Sequence, residues 1–168
     1  SQTGGVHTVD QYVYIGNNGQ TGTYNVSAGT LTVANAFVGY RGTGVFNQTG
    51  GTHNVTGGGT YGAFWLGVGQ GSHGTYALSD GVLNTTMPGG EVVGAGGTGT
   101  FTQTGGIHTV ASFLEIADDM RDGSSGLYDF RSGTLTAGTL FINPGGVFTS
   151  SGALTLGSNT PTGASSGS

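Results

Sequence analysis

Six stretches of this chain align under one another: "GTYNVSAGTLTVANAFVGYR" from residue 22, "GVFNQTGGTHNV" from 44, "GTYALSDGVLNTT" from 74, "GTFTQTGGIHTV" from 99, "GLYDFRSGTLTAGTLFIN" from 126 and "GVFTSSGALTLG" from 146. Each reads Gly, one residue, an aromatic, a short strand, a Gly-containing turn, a second strand, then an apolar pair ending near Gly. The aromatics Tyr24, Phe46, Tyr76, Phe101, Tyr128 and Phe148 mark the repeat, at successive intervals of 22, 30, 25, 27 and 20 residues. This period is too short and too variable for a propeller blade, and a helical repeat needs helix-forming residues. Those are scarce: 7% of the 168 residues are charged, Lys is absent, and 38 residues are Gly. Gly is a poor helix former, whereas the recurring Thr, Val, Tyr and Phe suit a pleated surface.

A period near 25 built from short strands and Gly turns predicts an all-β fold. It is a single parallel β-solenoid, right-handed, of about six to seven coils of 20–30 residues over 1–157, followed by a polar tail over 158–168. Each coil pairs with its neighbours at about 4.8 Å, and equivalent side chains form columns. Alternation along the strands assigns those columns. Leu31, Leu83, Leu135 and Leu154 form one. Ile15, Val38, Leu66, Val93, Ile116 and Ile142 form another, with Val13, Phe64 and Leu114 two residues earlier. The longest insertion, 56–63, falls at a corner.

"TQTGGIHTV" at 102–110 returns as "NQTGGTHNV" at 47–55 and "SQTGGVHTV" at 1–9. His7, His53 and His108 fall in the column of Leu31, Leu83 and Leu135. Gln2, Gln48 and Gln103 fall in the column of Val26, Leu78 and Phe130. Coils carrying Gln and His therefore alternate with coils carrying apolar residues. Because buried amides and imidazoles need partners, Gln48 and Gln103 are expected to bond His53 and His108 across the Thr-Gly-Gly turn. Equivalent His residues two coils apart lie about 9.6 Å from one another, too far to share an ion. Three copies of one arrangement, with no unique nucleophile beside them, read as scaffold and not as a catalytic or metal site.

Other candidate chemistry is sparse. Asp118, Asp119 and Asp122 only partly match the alternating oxygens of a calcium loop, so a solvated corner is expected. Asn25, Asn47, Asn54 and Asn84 open Asn-x-Ser/Thr triplets that could carry glycans on a surface. Glu91, Glu115, Asp10, Asp80 and Asp129 are dispersed, with no pair suited to glycoside hydrolysis. Catalysis and cofactors are thus not expected. A net charge of −5 without a basic cluster argues against nucleic acid and anionic membranes. No apolar run is long enough to span a bilayer.

The outward positions of the third strands are more informative. Tyr14, Phe37, Trp65, Val92, Glu115 and Phe141 alternate with the core residues there, and Tyr12 and Phe113 stand two residues earlier. A contiguous exposed aromatic strip calls for a partner. It could pack on a neighbouring subunit, be covered by the 56–63 insertion or the tail, or stack on the sugar rings of a surface polysaccharide.

"GTYNVSAGTLTV", "GTFTQTGGIHTV" and "GLYDFRSGTLTAG" resemble the glycine-rich strand repeats of bacterial autotransporter passenger regions and related large secreted surface proteins. The resemblance covers nearly all of 1–157 and implies an extracellular solenoid used for adhesion or as a stalk, without shared catalytic residues. This chain departs from that pattern in being small and in lacking a translocator. The first motif begins inside a coil, and the last coil, "GGVFTSSGALTLG", has two strands and no clear third. Together these readings predict a subunit that stacks head to tail on copies of itself in an extracellular filament, with a piece of a larger adhesin as the alternative.

Overall fold

In the computed structural model, residues 1–57, 63–86, 90–151 and 154–156 are described. The body of the 56–63 insertion and the tail over 158–168 lie outside them. Among the described residues there is no helix, only twelve strands. They are β1 Gln2–Asn17, β2 Thr21–Tyr40, β3 Thr43–Val55, β4 Phe64–Val68, β5 His73–Thr85, β6 Glu91–Ala95, β7 Thr98–Gln103, β8 Ile107–Ile116, β9 Ser125–Phe130, β10 Thr134–Ile142, β11 Gly146–Ser150 and β12 Leu154–Leu156. Every pairing between them is parallel, and the chain winds as a β-solenoid of about five turns. The longer strands bend around corners, so β2 alone contributes to three walls.

The registers reproduce the columns read from alternation. On the first wall Tyr24, Phe46, Tyr76, Phe101, Tyr128 and Phe148 stack in sequence. Their ring centroids are 5.3, 4.6, 4.9, 4.5 and 5.5 Å apart, and the rings lie near parallel. That spacing follows from the strand separation itself: once the backbones pair in register, the rings have no other place to go. Phe46, Tyr76, Phe101 and Tyr128 are buried. A fully buried side chain of this kind contributes about 1.5–3 kcal/mol from hydrophobic transfer, so this stack is a main source of stability.

On the second wall His7, Leu31, His53, Leu83, His108, Leu135 and Leu154 align. On the third, Val13, Ala36, Phe64, Glu91, Leu114 and Leu140 form the first inward column. Ile15, Val38, Leu66, Val93 and Ile116 form the second and are buried. Ile142 is the exception to the expected core: it is 43% exposed, at the end of β10.

The corner after the third wall explains a residue that recurs there. Gly16, Gly39, Gly67 and Gly94 all take positive φ. At Gly67 (φ 66°), an added Cβ would lie 2.1 Å from the Thr98 carbonyl oxygen of the next coil. Gly16, Gly39 and Gly94 would collide with the next coil's backbone in the same way, whereas Ala117, the next residue of this column, takes the left-handed φ (62°) with a Cβ, so the close approach of the coils and not φ alone demands glycine. Gly67→Ala is therefore expected to cost several kcal/mol, more than the roughly 1–2 kcal/mol of the left-handed backbone alone, because the next coil must also shift. The midpoint of urea unfolding, compared with the parent, measures it.

Candidate functional site

The Gln and His residues are placed inside as expected. Gln48, His53, Gln103 and His108 are fully buried, Gln2 is nearly so, and His7 is exposed. The direct Gln–His bond, however, is not what forms. A tyrosine from the following coil stands between the two. Tyr76 Oη donates to Gln48 Oε1 at 2.5 Å and lies 3.1 Å from His53 Nδ1. Tyr128 does the same for Gln103 at 2.8 Å and His108 at 2.7 Å. Tyr24 repeats it for Gln2 at 3.3 Å and His7 at 3.0 Å. The physical reason is geometric. Tyr76 and Tyr128 stack directly on Phe46 and Phe101 of the coil beneath, so each hydroxyl falls between amide and imidazole.

Hydrogen-bond accounting orients each group. Gln48 Nε2 contacts the carbonyls of Gly51 at 3.3 Å and Val82 at 3.0 Å. Gln103 repeats this with Gly106 and Thr134. With the amide hydrogens committed, Oε1 must accept, so the tyrosine hydroxyl donates to it. The tyrosine oxygen can then accept from imidazole Nδ1–H, which in the neutral His53 ring leaves Nε2 bare. Burial, and then the charge of Glu91, pushes the Tyr76 and Tyr128 hydroxyls well above the ordinary tyrosine range, keeping them protonated as donors. The His53 and His108 rings lie flat against Phe46 and Phe101, both with centroids 4.8 Å away.

The two inner histidines differ at Nε2. His53 Nε2 is buried and has no hydrogen-bond partner among the described residues. His108 Nε2 lies 2.9 Å from Glu91 Oε1, and Thr85 Oγ1 donates to the same oxygen. Glu91, for which the sequence showed no carboxylate partner, is 1% exposed and sits in the inward column between Phe64 and Leu114. Thr85 likewise stands where the neighbouring coils carry Val55 and Val110. One coil thus supplies a buried acid and hydroxyl that match the next coil's histidine. Both departures from the apolar pattern are visible in sequence once the columns are drawn. The same signal reveals the tyrosines: Tyr occurs in the coil after each Gln/His coil, and Phe inside it.

The aromatic strip is assembled but differs from a flat exposed row. Tyr12 and Tyr14 are exposed at 52% and 43%, whereas Phe37 is only 9% exposed and Trp65, Phe113 and Phe141 are half-buried. The rings cover one another. Phe37 packs against Tyr12, Tyr14, Tyr40 and Trp65 at 5.0–6.1 Å. Val92, also expected outside, is buried in this same cluster. At the far end the strip opens into a cleft of about 530 Å³ lined by Val92, Phe113, Glu115, Asp118, Asp119, Met120, Arg121, Phe141 and Asn143.

Of the three aspartates considered for calcium, Asp118 and Asp119 approach Glu115, with one oxygen of each within 4.8 Å of the others; Asp122 is not in the group. The Asn side chains also find work. Asn47 Nδ2 donates to Asn25 Oδ1 at 2.8 Å and Asn84 Nδ2 to Asn54 Oδ1 at 3.1 Å, forming short ladders between coils.

The paired polar groups make a direct prediction. Tyr76→Phe leaves both Gln48 Oε1 and His53 Nδ1 buried without a partner, and should cost about 2–4 kcal/mol. Replacing all three together (Gln48→Leu, His53→Leu, Tyr76→Phe) recreates the apolar pattern of the adjacent coil and should return stability to within about 1 kcal/mol of the parent. Chemical denaturation of the parent, the single variant and the triple variant checks this.

A second prediction concerns acid. Burial, helped by the charge of His108, depresses the His53 pKa to about 3, against about 6.5 in the unfolded chain. Between these values the unfolded chain binds the extra proton, so the stabilising contribution is complete above pH 6.5 and is lost as pH falls toward 3. The triple variant should show less loss of stability than the parent on titration across that window, by a few kcal/mol.

No protein-family model, curated protein or solved structure matches this chain. Its own geometry is therefore the ground for a functional reading.

Proposed function

We propose that this chain is a structural subunit of an extracellular filament, extended by stacking coil on coil between copies. The observation that carries the reading is the edge of β1. β2 pairs on both sides, with β1 and with β3 and β4, whereas among the described residues the 16-residue β1 pairs with β2 alone. Its outer side therefore offers a row of backbone donors and acceptors in the register that interior coils use for one another. Val6, 78% exposed, and Tyr12 and Tyr14 stand along it, and Asp10 is its single charged residue. A coil of the same pattern is the natural complement. A head-to-tail contact of this kind is heterologous and propagates unless its rotation closes a ring.

The composition agrees with life outside the cell. Without Lys, and with Arg only at 41, 121 and 131, the chain offers few sites to trypsin-like proteases. A longer surface adhesin whose own preceding coils cover β1 is the second reading, favoured by the same edge. In both, the interior triads hold the coil order and take no part in chemistry.

Lys side chains on an edge block strand addition. Sedimentation and negative-stain microscopy should show the parent forming elongated assemblies as concentration rises, while Val6→Lys with Thr8→Lys stays monomeric and folded. A parent that remains monomeric at every concentration would exclude assembly between copies.

A further inference from the structure

The cleft at the end of the aromatic strip has a composition that the stacking of coils does not call upon. Its floor and walls are apolar: Val92 from β6, Phe113 from β8 and Phe141 from β10, with the two rings 6.3 Å apart and tilted by 62°. Its volume of about 530 Å³ falls in the range of small-molecule sites. The rim is formed by Glu115 and by the turn carrying Asp118, Asp119, Met120 and Arg121.

Counting donors and acceptors defines what fits. Asn143 Nδ2 donates to Glu115 Oε1 at 2.7 Å and to the Ala117 carbonyl at 2.8 Å, which uses both of its amide hydrogens. Arg121 Nε donates to Asp118 Oδ2 at 2.9 Å, and its guanidinium lies 5.2 Å from the Trp65 ring centre, outside the aromatic floor. The cleft thus places three carboxylates against one cation, itself already engaged. The Glu115 carboxylate, which also takes the Asp119 backbone N–H, both oxygens of the exposed Asp119 and Asn143 Oδ1 retain lone pairs able to accept. The charge is unbalanced: burial first, then Asp118, raises the Glu115 carboxyl above its ordinary pKa, so a positive charge here would be welcomed. Aromatic faces also attract cations and the C–H faces of rings.

We infer that this cleft binds an organic ammonium ion, its N–H groups donating to Glu115 and Asp119 and its carbon body lying against Phe113 and Phe141. A neutral sugar would satisfy the acceptors but not the charge. An inorganic cation would satisfy the charge but leave the aromatic floor unused. Aliphatic polyamines and amino sugars share the required chemistry.

Isothermal titration calorimetry at low ionic strength, with three probes, tests the inference. Spermidine supplies charge without a ring, a β-1,4-linked glucosamine disaccharide supplies both, and its N-acetylated counterpart supplies the ring alone. Both amines should bind, and the acetylated sugar should bind roughly tenfold or more weakly, the loss of at least one charge-assisted hydrogen bond. Glu115→Gln and Asp119→Asn should each weaken the amines by a similar factor, with Asp10→Asn on β1 as the unaffected control. Phe113→Ala should weaken the disaccharide more than spermidine if amino sugars are the natural source, and both alike if polyamines are. Circular dichroism establishes that each variant keeps its fold. Equal binding of the acetylated sugar would overturn the inference, as would displacement of the amines by low-millimolar calcium through the same carboxylates, or no heat with any probe.

Discussion

Everything in this molecule depends on parallel pairing of successive coils in constant register. That spacing brings like positions face to face and turns each choice of residue into a column. It stacks six aromatic rings on the first wall, packs Leu over His on the second, and excludes any Cβ at the glycine corners of the third. The core is therefore one-dimensional: each coil is supported chiefly by the one before and the one after. A defect in one coil is felt locally and passes to the neighbours through the same contacts.

One-dimensional stacks have a characteristic weakness, because a coil can pair one step out of place with little change in backbone bonding. The Gln–Tyr–His arrangement answers it. A displacement by one coil would set Gln48 and His53 under a Phe instead of Tyr76, leaving buried groups without partners at a cost of about 1–3 kcal/mol each. Only a shift by two coils restores Tyr above Gln and His, and that shift would move Glu91 and Thr85 away from His108. The buried acid thereby distinguishes two otherwise similar Gln/His coils. These polar groups contribute order more than net stability, which is why apolar residues can occupy the same columns in the alternate coils.

The outside of the solenoid follows different rules. Side chains there are free of the register's demand for small or apolar groups, and the third wall uses that freedom to carry aromatics. Much of the strip is consumed by its own packing, as Phe37 and Val92 show. What remains open is concentrated at its two extremes: the Tyr12–Tyr14 end beside the β1 edge, and the acidic cleft beneath the turn at 118–121.

The amino-acid sequence alone determined the solenoid, because a period of 20–30 residues with alternating apolar positions admits few other ways to bury them. It also determined which residues share a column, and hence that Leu31, Leu83 and Leu135 would be core and that Gln48, His53, Gln103 and His108 would be inside with them. What it left undecided were contacts between coils. Gln and His flank one turn in sequence, so a direct bond looked natural; the hydroxyl that separates them comes from 20 to 28 residues away and is set by ring stacking. Glu91 meets His108 only because two walls of adjacent coils face the same interior. The cleft, likewise, gathers Val92, Phe113, Asn143 and the Asp118–Arg121 turn from segments that share no local motif. Periodicity records which face a side chain points to, and pairing of distant strands decides what it meets there.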